Sequence, residues 1–199
     1  GEQALKELES VLTDFQVIVA QKDKQEVPLQ QQEALSLVGR IEEDMIDGFP
    51  FDVPAQYADR PLLKGRATVD MLVKIKDNAN TDGGVLKIVL DGYNAPVSAG
   101  NFADLINLGF YDKMPIQRSD GFVVQSGKPK GGDGFKLGGV ERTVPLEIMV
   151  QGDKVPEYEL TLEELGRYRD QPVLPFNAFG TLAMARREAE PNSASSQFF

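Results

Sequence analysis

The stretch GTLAMARREAEPNSASSQFF, residues 180–199, governs how the whole chain is read. GTLAMA has the character of a short strand, REAEPNSAS is a loop of small polar residues, and Gln197-Phe198-Phe199 is an apolar run on which the chain stops. Upstream, the period-two signal recurs. Ala67, Val69, Met71, Val73 and Ile75 alternate with Thr68, Asp70, Leu72, Lys74 and Lys76, which predicts a half-buried strand. The turn-rich DNANTDGG leads from it to VLKIVLD at 85–91, an antiparallel partner. Further strands are expected at 122–125 (FVVQ), 144–150 (VPLEIMV) and 179–185 (FGTLAMA). Between 85–91 and 122–125, APVSAGNFADLINLGFY predicts a short helix, with Ser98 at the N-cap, Phe102, Leu105 and Ile106 inward and Gly109 at the stop.

The N-terminal part has a different period. Leu5, Leu8, Leu12, Phe15 and Val19, widened by Val11 and Ile18, mark one face of a helix over 2–22. Leu35, Val38, Ile41 and Met45 mark a second over 28–47, with Pro28 in its first turn and Gly48 as its stop. QKDKQE joins them into a hairpin. Two helices alone bury little, so their faces are expected to pack on other chain or on a partner. FPFDVPAQYADRPLLKG, 49–65, carries three prolines and reads as an extended linker. The expected organisation is a helical region 1–48, a linker 49–65 and a β-rich domain 66–199, an α+β chain. That domain carries an insertion bounded at 128–175; a Gly-rich loop spans 127–139, and the segment 151–175 holds Thr161 and Glu164 at capping-box spacing.

Composition excludes several chemistries. The net charge of −10 argues against nucleic acid and anionic membrane surfaces as partners, and favours proteins. With no Cys and no His, thiolate nucleophiles, thiolate metal sites and Ser-His-Asp catalysis cannot be built. No apolar run approaches the roughly 20 residues of a membrane span. GKPKGGDGFKLGG lacks the spacing of either phosphate-binding glycine motif. The carboxylates of EED (42–44) and EYELTLEEL lack the alternating donors of a calcium loop and read as solvated faces. Neither a metal nor a cofactor is called for.

Three patches in sequence order resemble the cyclophilin family: NAPVSAGNFADLINLGFYD, IQRSDGFVVQSG (116–127), and GTLAMA followed by NSASSQFF. Together they span most of 66–199. The upstream helices, DGFPFDVP and the acidic insertion resemble the thylakoid-lumen members of plants and algae. The resemblance implies an eight-stranded antiparallel barrel with a cap helix, a chloroplast or cyanobacterial lumen setting, and photosystem II subunits or assembly intermediates as protein partners. Because SSQFF resembles the start of an interior strand, the resemblance also implies that the family's barrel continues past residue 199.

The implied activity is prolyl cis-trans isomerisation, which makes no covalent intermediate and suits a chain without His or Cys. The barrier of about 18–20 kcal/mol comes from amide resonance. A guanidinium offered to the pyramidalising nitrogen stabilises the transition state more than the ground state. By the resemblance, Arg118 matches the catalytic arginine, Phe122 a pocket aromatic and Gln125 the glutamine that orients arginine and substrate. Ala185, Gln197 and Phe199 match groove positions, and Ile116 and Val123 flank them. The pattern also departs from the family. Ile116-Gln117 replaces Phe-His before Arg118, one residue is missing between Arg118 and Phe122, Val123 replaces a Met, and Arg186 replaces a small polar residue. A displacement of about 1 Å can cost roughly a hundredfold in rate. Weak or lost isomerase activity with altered peptide binding is therefore expected, against the alternative of a working isomerase. Read without the family, Arg118 is a surface arginine paired with Asp120, and Phe122 and Phe199 are core aromatics.

Overall fold

The computed structural model describes residues 2–76, 80–177 and 179–199. They fall into two compact units, residues 1–50 and 51–199.

The first unit is a pair of helices, α1 (Glu2–Gln21) and α2 (Glu26–Asp44). Asp23 organises the reversal between them: its Oδ1 accepts the N–H groups of Gln25 (3.0 Å) and Glu26 (3.2 Å), donors that the first turn of α2 leaves without intrahelical partners. Helix α2 starts two residues before the expected Pro28, which still lies in the first turn where its missing N–H costs nothing. It ends at Asp44 with Met45 as C-cap, so Gly48 is not the stop. The Ile46 N–H turns back to the Glu43 carbonyl (3.1 Å), tightening the final turn ahead of it. Glu7 and Arg40 pair across the helices at 3.3 Å. Ala4 and Leu37 are buried, whereas Leu5, Leu12, Val19, Leu35 and Val38 remain exposed. As the sequence suggests, two helices do not cover their own apolar stripes.

The second unit begins with a 3₁₀ turn, Ala55–Tyr57, whose tyrosine is buried in the hydrophobic cluster. Strands β1 (Arg66–Val73) and β2 (Gly84–Asp91) pair antiparallel in continuous register from Arg66–Asp91 to Val73–Gly84. Ala67, Val69, Met71 and Val73 are the half-covered set in an unbroken alternation. The strand stops at Val73, short of Ile75, and the DNANTDGG connection lies partly outside the described residues.

Helix α3 (Pro96–Asn107) buries Val97, Phe102 and Leu105. Gly109 (φ +66°) ends it in the left-handed conformation expected of a helix stop. Its start differs from expectation: the helix begins at Pro96, and Ser98 is not the cap. The capping acceptor comes from far along the chain, since Glu147 Oε1 and Oε2 accept the N–H groups of Val97 (3.1 Å) and Ser98 (2.8 Å). Phe102 lies edge-on to Phe198 (5.2 Å between centroids, 88°) and against Tyr111 (5.0 Å).

The remaining strands are short: β3 (Arg118–Ser119), β4 (Val124–Gln125), β5 (Lys136–Leu137), β6 (Val140–Glu141), β7 (Glu147–Ile148) and β8 (Glu157–Tyr158). The expected strands at 122–125 and 144–150 shrink to two residues each, because Asp120-Gly121 and Val144-Pro145 interrupt the ladders with turns and single bridges. The Gly-rich loop contains a hairpin: Gly138 and Gly139 both have positive φ (60° and 86°), the conformation of a tight two-residue connection between β5 and β6. The capping box at Thr161–Glu164 forms reciprocally, with Thr161 N–H to Glu164 Oε2 at 2.8 Å and Glu164 N–H to Thr161 Oγ1 at 3.1 Å. Thr161→Ala is expected to speed limited proteolysis within 161–170 about fivefold, the scale of a lost cap. Unchanged cleavage would show that Arg167, paired with Asp153, Glu157 and Asp170, holds the insertion alone.

Residues 197–199 run between two neighbouring segments. Phe198 exchanges both backbone bonds with Ser126 (3.0 Å each), and Phe199 exchanges both with Ala183 (2.9 Å each). The closed barrel implied by the resemblance is not formed by the described residues, whose named strands pair as four separate two-stranded ladders. Closure requires every strand to be bonded on both edges. The 197–199 segment meets that condition, while β1 and β2 pair only with each other.

Candidate functional site

Alternation along this three-segment sheet sorts its side chains. Ser126, Met184 and Phe198 occupy bridged positions and are buried. One residue along each strand, Gln125, Ala185 and Gln197 share the opposite face, where they line a small cleft of about 230 Å³. Gly127 permits the close approach behind it: it has φ +92°, and a Cβ there would stand 2.2 Å from the Ser196 carbonyl oxygen. Ser196 Oγ in turn donates to the Gly127 carbonyl at 2.8 Å, and Asn101 Nδ2 and Tyr111 Oη donate to the Ser195 and Ser196 carbonyls.

Gln197 is the hub of the cleft. Its Oε1 accepts from Gln125 Nε2 (3.0 Å) and Gln117 Nε2 (3.2 Å), and its Nε2 donates to the Asp133 carbonyl (2.7 Å). The Ala185 N–H donates to the Gln197 carbonyl at 2.8 Å. Asp133, Arg186, Arg187 and Ser193 complete the lining. Arg186 is tied by Nη1 to the Pro191 carbonyl, and burial lowers its pKa, partly offset by the Glu147 carboxylate. Arg187 is shared between Glu141 and Glu190 at 3.1 Å. Gln117 and Asp133 carry no charge pattern or apolar period that sequence reading could have used; only the tertiary fold brings them to Gln197, Gln117 from beside β3 and Asp133 from the Gly-rich loop.

Arg118 and Gln125 are direct cross-strand partners on β3 and β4, so they share a face. Their functional groups nonetheless diverge. The Gln125 amide goes to Gln197, while Arg118 turns to Asp120, with Nε at 2.6 Å and Nη2 at 2.5 Å from Oδ2. Asp120 Oδ1 also accepts the N–H groups of Phe122 (3.2 Å) and Val123 (3.0 Å). The Val123 N–H, then the Arg118 guanidinium, then the Phe122 N–H hold the Asp120 carboxyl below the usual carboxylate range. The surface pairing that spacing alone suggested for Arg118 is the one observed.

The other expected groove residues are dispersed. Phe122 is 99 % exposed at the tip of the β3–β4 turn, neither a pocket wall nor the core aromatic its hydrophobicity suggested. The turn set by Asp120 and Gly121 swings it outward. Ile116 is exposed, and Val123 is half-buried; neither lines the cleft. Phe199 is partly exposed and stacks on Phe176 at 6.1 Å. Among the described residues, no group of His, Cys, Asp or Glu is placed to hold a metal ion, and no helix is long and apolar enough to cross a membrane.

Comparison with known proteins accounts for both units. Residues 72–199 match the family model for cyclophilin-type peptidyl-prolyl cis-trans isomerases. Residues 1–46 match the model of the PsbQ-like domain of CYP38-like peptidyl-prolyl cis-trans isomerases. The chain is 58 % identical to the chloroplastic peptidyl-prolyl cis-trans isomerase CYP38 of Arabidopsis thaliana, covering all of this chain and 46 % of that protein. It is 45 % identical to a Synechocystis protein named for the thylakoid lumen and peptidyl-prolyl isomerase activity, covering all of this chain and 52 % of that one. With the chloroplastic CYP37 of Arabidopsis thaliana it shares 34 % identity, over 91 % of this chain and 39 % of the relative. The chain thus spans about half the length of the two more similar relatives.

Proposed function

This chain belongs to the cyclophilin family of peptidyl-prolyl cis-trans isomerases, and from that premise we propose that it works in the thylakoid lumen as a peptide-binding chaperone or scaffold with slow prolyl turnover. Its clients are extended or proline-containing segments, and its setting is the assembly or maintenance of photosystem II, with lumen-facing subunits or assembly intermediates as partners. The lumen assignment follows the relatives named for the chloroplast and the thylakoid lumen. The same reading takes the three-segment sheet through 197–199 as one wall of the family's closed barrel.

One observation carries the reading: the groove face keeps its hydrogen-bonding amides while its arginine is engaged elsewhere. Gln125 and Gln197 present polar groups to an extended backbone, and Ala185 leaves room beside them. Arg118, the group that would meet a prolyl nitrogen, is bound by Asp120. Phe122 does not supply an apolar wall for the proline ring. Binding therefore outlasts catalysis. Under this reading Arg118 and Gln125 are the residual catalytic pair, and Ala185 and Gln197 contact the peptide.

The test pairs binding with turnover on one probe, an Ala-Pro tetrapeptide followed by exchange NMR. The expected result is measurable binding with cis-trans exchange only slightly above the uncatalysed rate. Gln197→Ala should weaken binding about tenfold, because it removes a hub that also orders Gln125 and Gln117. Arg118→Ala should leave binding within about twofold and abolish the residual exchange. Ordinary cyclophilin rates in the wild-type chain would overturn the slow-turnover half and favour the second reading, a working isomerase, which the opposed register of Arg118 and Gln125 supports.

A further inference from the structure

Asp120 occupies the position from which the groove's arginine can be controlled. We infer that its carboxylate is a built-in competitor of substrate, holding the Arg118 guanidinium side-on in the resting protein and thereby setting the rate of prolyl turnover. The inference deepens the groove reading above and rests on it.

Three features of the geometry support this role. First, the carboxylate is immobilised before it meets the arginine. Oδ1 is spent on the Phe122 and Val123 N–H groups, which fix the turn around Gly121 (φ +85°). An acceptor held in this way loses little side-chain entropy when it takes a guanidinium, unlike a mobile surface carboxylate. Second, the contact has two points. Nε and Nη2 both reach Oδ2, so the edge of the fork nearest the chain is used and the planar group is oriented, not merely neutralised. Third, the residue across the ladder does not draw Arg118 back toward the groove. Its cross-strand partner Gln125 gives its amide to Gln197. The shortened RSDGF spacing places the aspartate two residues from the arginine, close enough for this clasp to form within a single turn.

The clasp is releasable. Arg118 and Asp120 side chains are 55 % and 39 % exposed, so water and salt screen the pair. The low pKa of Asp120 keeps the carboxylate charged through neutral and mildly acidic conditions, so release depends on substrate or ionic strength and not on protonation. Asp120 is accordingly a positioning residue. It does not touch the prolyl bond, and its effect passes entirely through Arg118.

Asp120→Asn separates the clasp from the turn. The amide oxygen can still accept the Phe122 and Val123 N–H groups, while the charge that holds Arg118 is gone. With the full 199-residue chain and the Ala-Pro tetrapeptide at low ionic strength, the variant should raise kcat/KM about fivefold, with peptide affinity changed less than about twofold. The gain should vanish in the Asp120→Asn/Arg118→Ala double variant. Raising salt to about 0.5 M should lift wild-type turnover toward the variant's and leave the variant's turnover flat, a response that a purely structural role would not produce. This arm requires no substitution in the wild-type chain. Binding with unchanged or slower turnover in Asp120→Asn, or wild-type turnover indifferent to salt, overturns the inference and leaves the groove reading standing. Absence of peptide binding in both proteins removes the groove reading and the inference with it.

Discussion

Phe102→Ala is expected to lower the stability of the 51–199 unit by about 3–5 kcal/mol, the cost of emptying a buried aromatic site in a packed core. Phe102 is only 1 % exposed and sits where Phe198 and Tyr111 converge. Its removal deletes the edge-on partner of Phe198, whose backbone joins two neighbouring segments of the groove sheet. Such a loss is a large fraction of the stability of an ordinary domain, roughly 5–15 kcal/mol. The measurement is urea unfolding followed by tyrosine fluorescence. The chain has no Trp, and all five tyrosines lie beyond residue 51, so the signal reports this unit. Phe122→Ala is the matched control: the same chemical change at a fully exposed site should stay within about 0.5 kcal/mol. A loss below about 1 kcal/mol for Phe102→Ala would mean that α3 does not anchor the core.

Glu147→Ala comes next, with an expected cost of about 3 kcal/mol. The buried N–H of Val97 and the partly buried N–H of Ser98 would lose their acceptors at once, at about 1–3 kcal/mol for a buried donor left unpaired. A carboxylate also suits the positive end of a helix. The pH dependence has a definite sign. Burial raises the Glu147 pKa above its ordinary value of 4.5, although the two backbone bonds oppose the rise. Its folded state therefore binds the proton more tightly than the unfolded chain does. The corresponding stability is fully present below the unfolded pKa and is lost as pH rises through the folded pKa. The gap between wild type and Glu147→Ala should accordingly be widest in acid and narrow as pH rises. Comparing the two proteins at each pH cancels the opposite trend from Asp120, Asp133, Asp153 and Glu164. Those pKa values are lowered, so their stability is present above the unfolded values and is lost on acidification. A gap that widens toward alkaline pH would show that Glu147 is not the buried cap described above.

How much could be read in advance depended on the range of each interaction. The α1 and α2 periodicity, the alternation of β1, the Thr161–Glu164 capping box and the Gly109 stop involve residues within a few positions of one another, and each forms. The Arg118–Asp120 pair was legible for the same reason, as the plain alternative to a groove arginine. Ser98 misled because an N-cap residue is chosen by local sequence only when no better acceptor arrives from elsewhere, and Glu147 does arrive. Phe122 misled because hydrophobicity gives no account of the direction a turn takes. The serines of NSASSQFF read as loop polarity. Ser193, Ser195 and Ser196 are buried, and their hydroxyls bond to the carbonyls of Glu190, Arg142 and Gly127.

What the amino-acid order determined by itself was the family, the helix-then-strand layout and the absence of thiol or imidazole chemistry. Those follow from residue identity and from periods of two and 3.6, which are local properties of a chain. Tertiary structure alone decided which of the expected groove residues meet. Gln125, Ala185 and Gln197 converge because Phe198 pairs with Ser126 on one side and Met184 on the other, whereas Arg118 and Phe122 leave because the turn between β3 and β4 closes on Asp120. Contacts between residues far apart in sequence, such as Gln125 to Gln197, 72 positions apart and bonded at 3.0 Å, depend on register between distant strands, and no local pattern encodes register until the sheet exists.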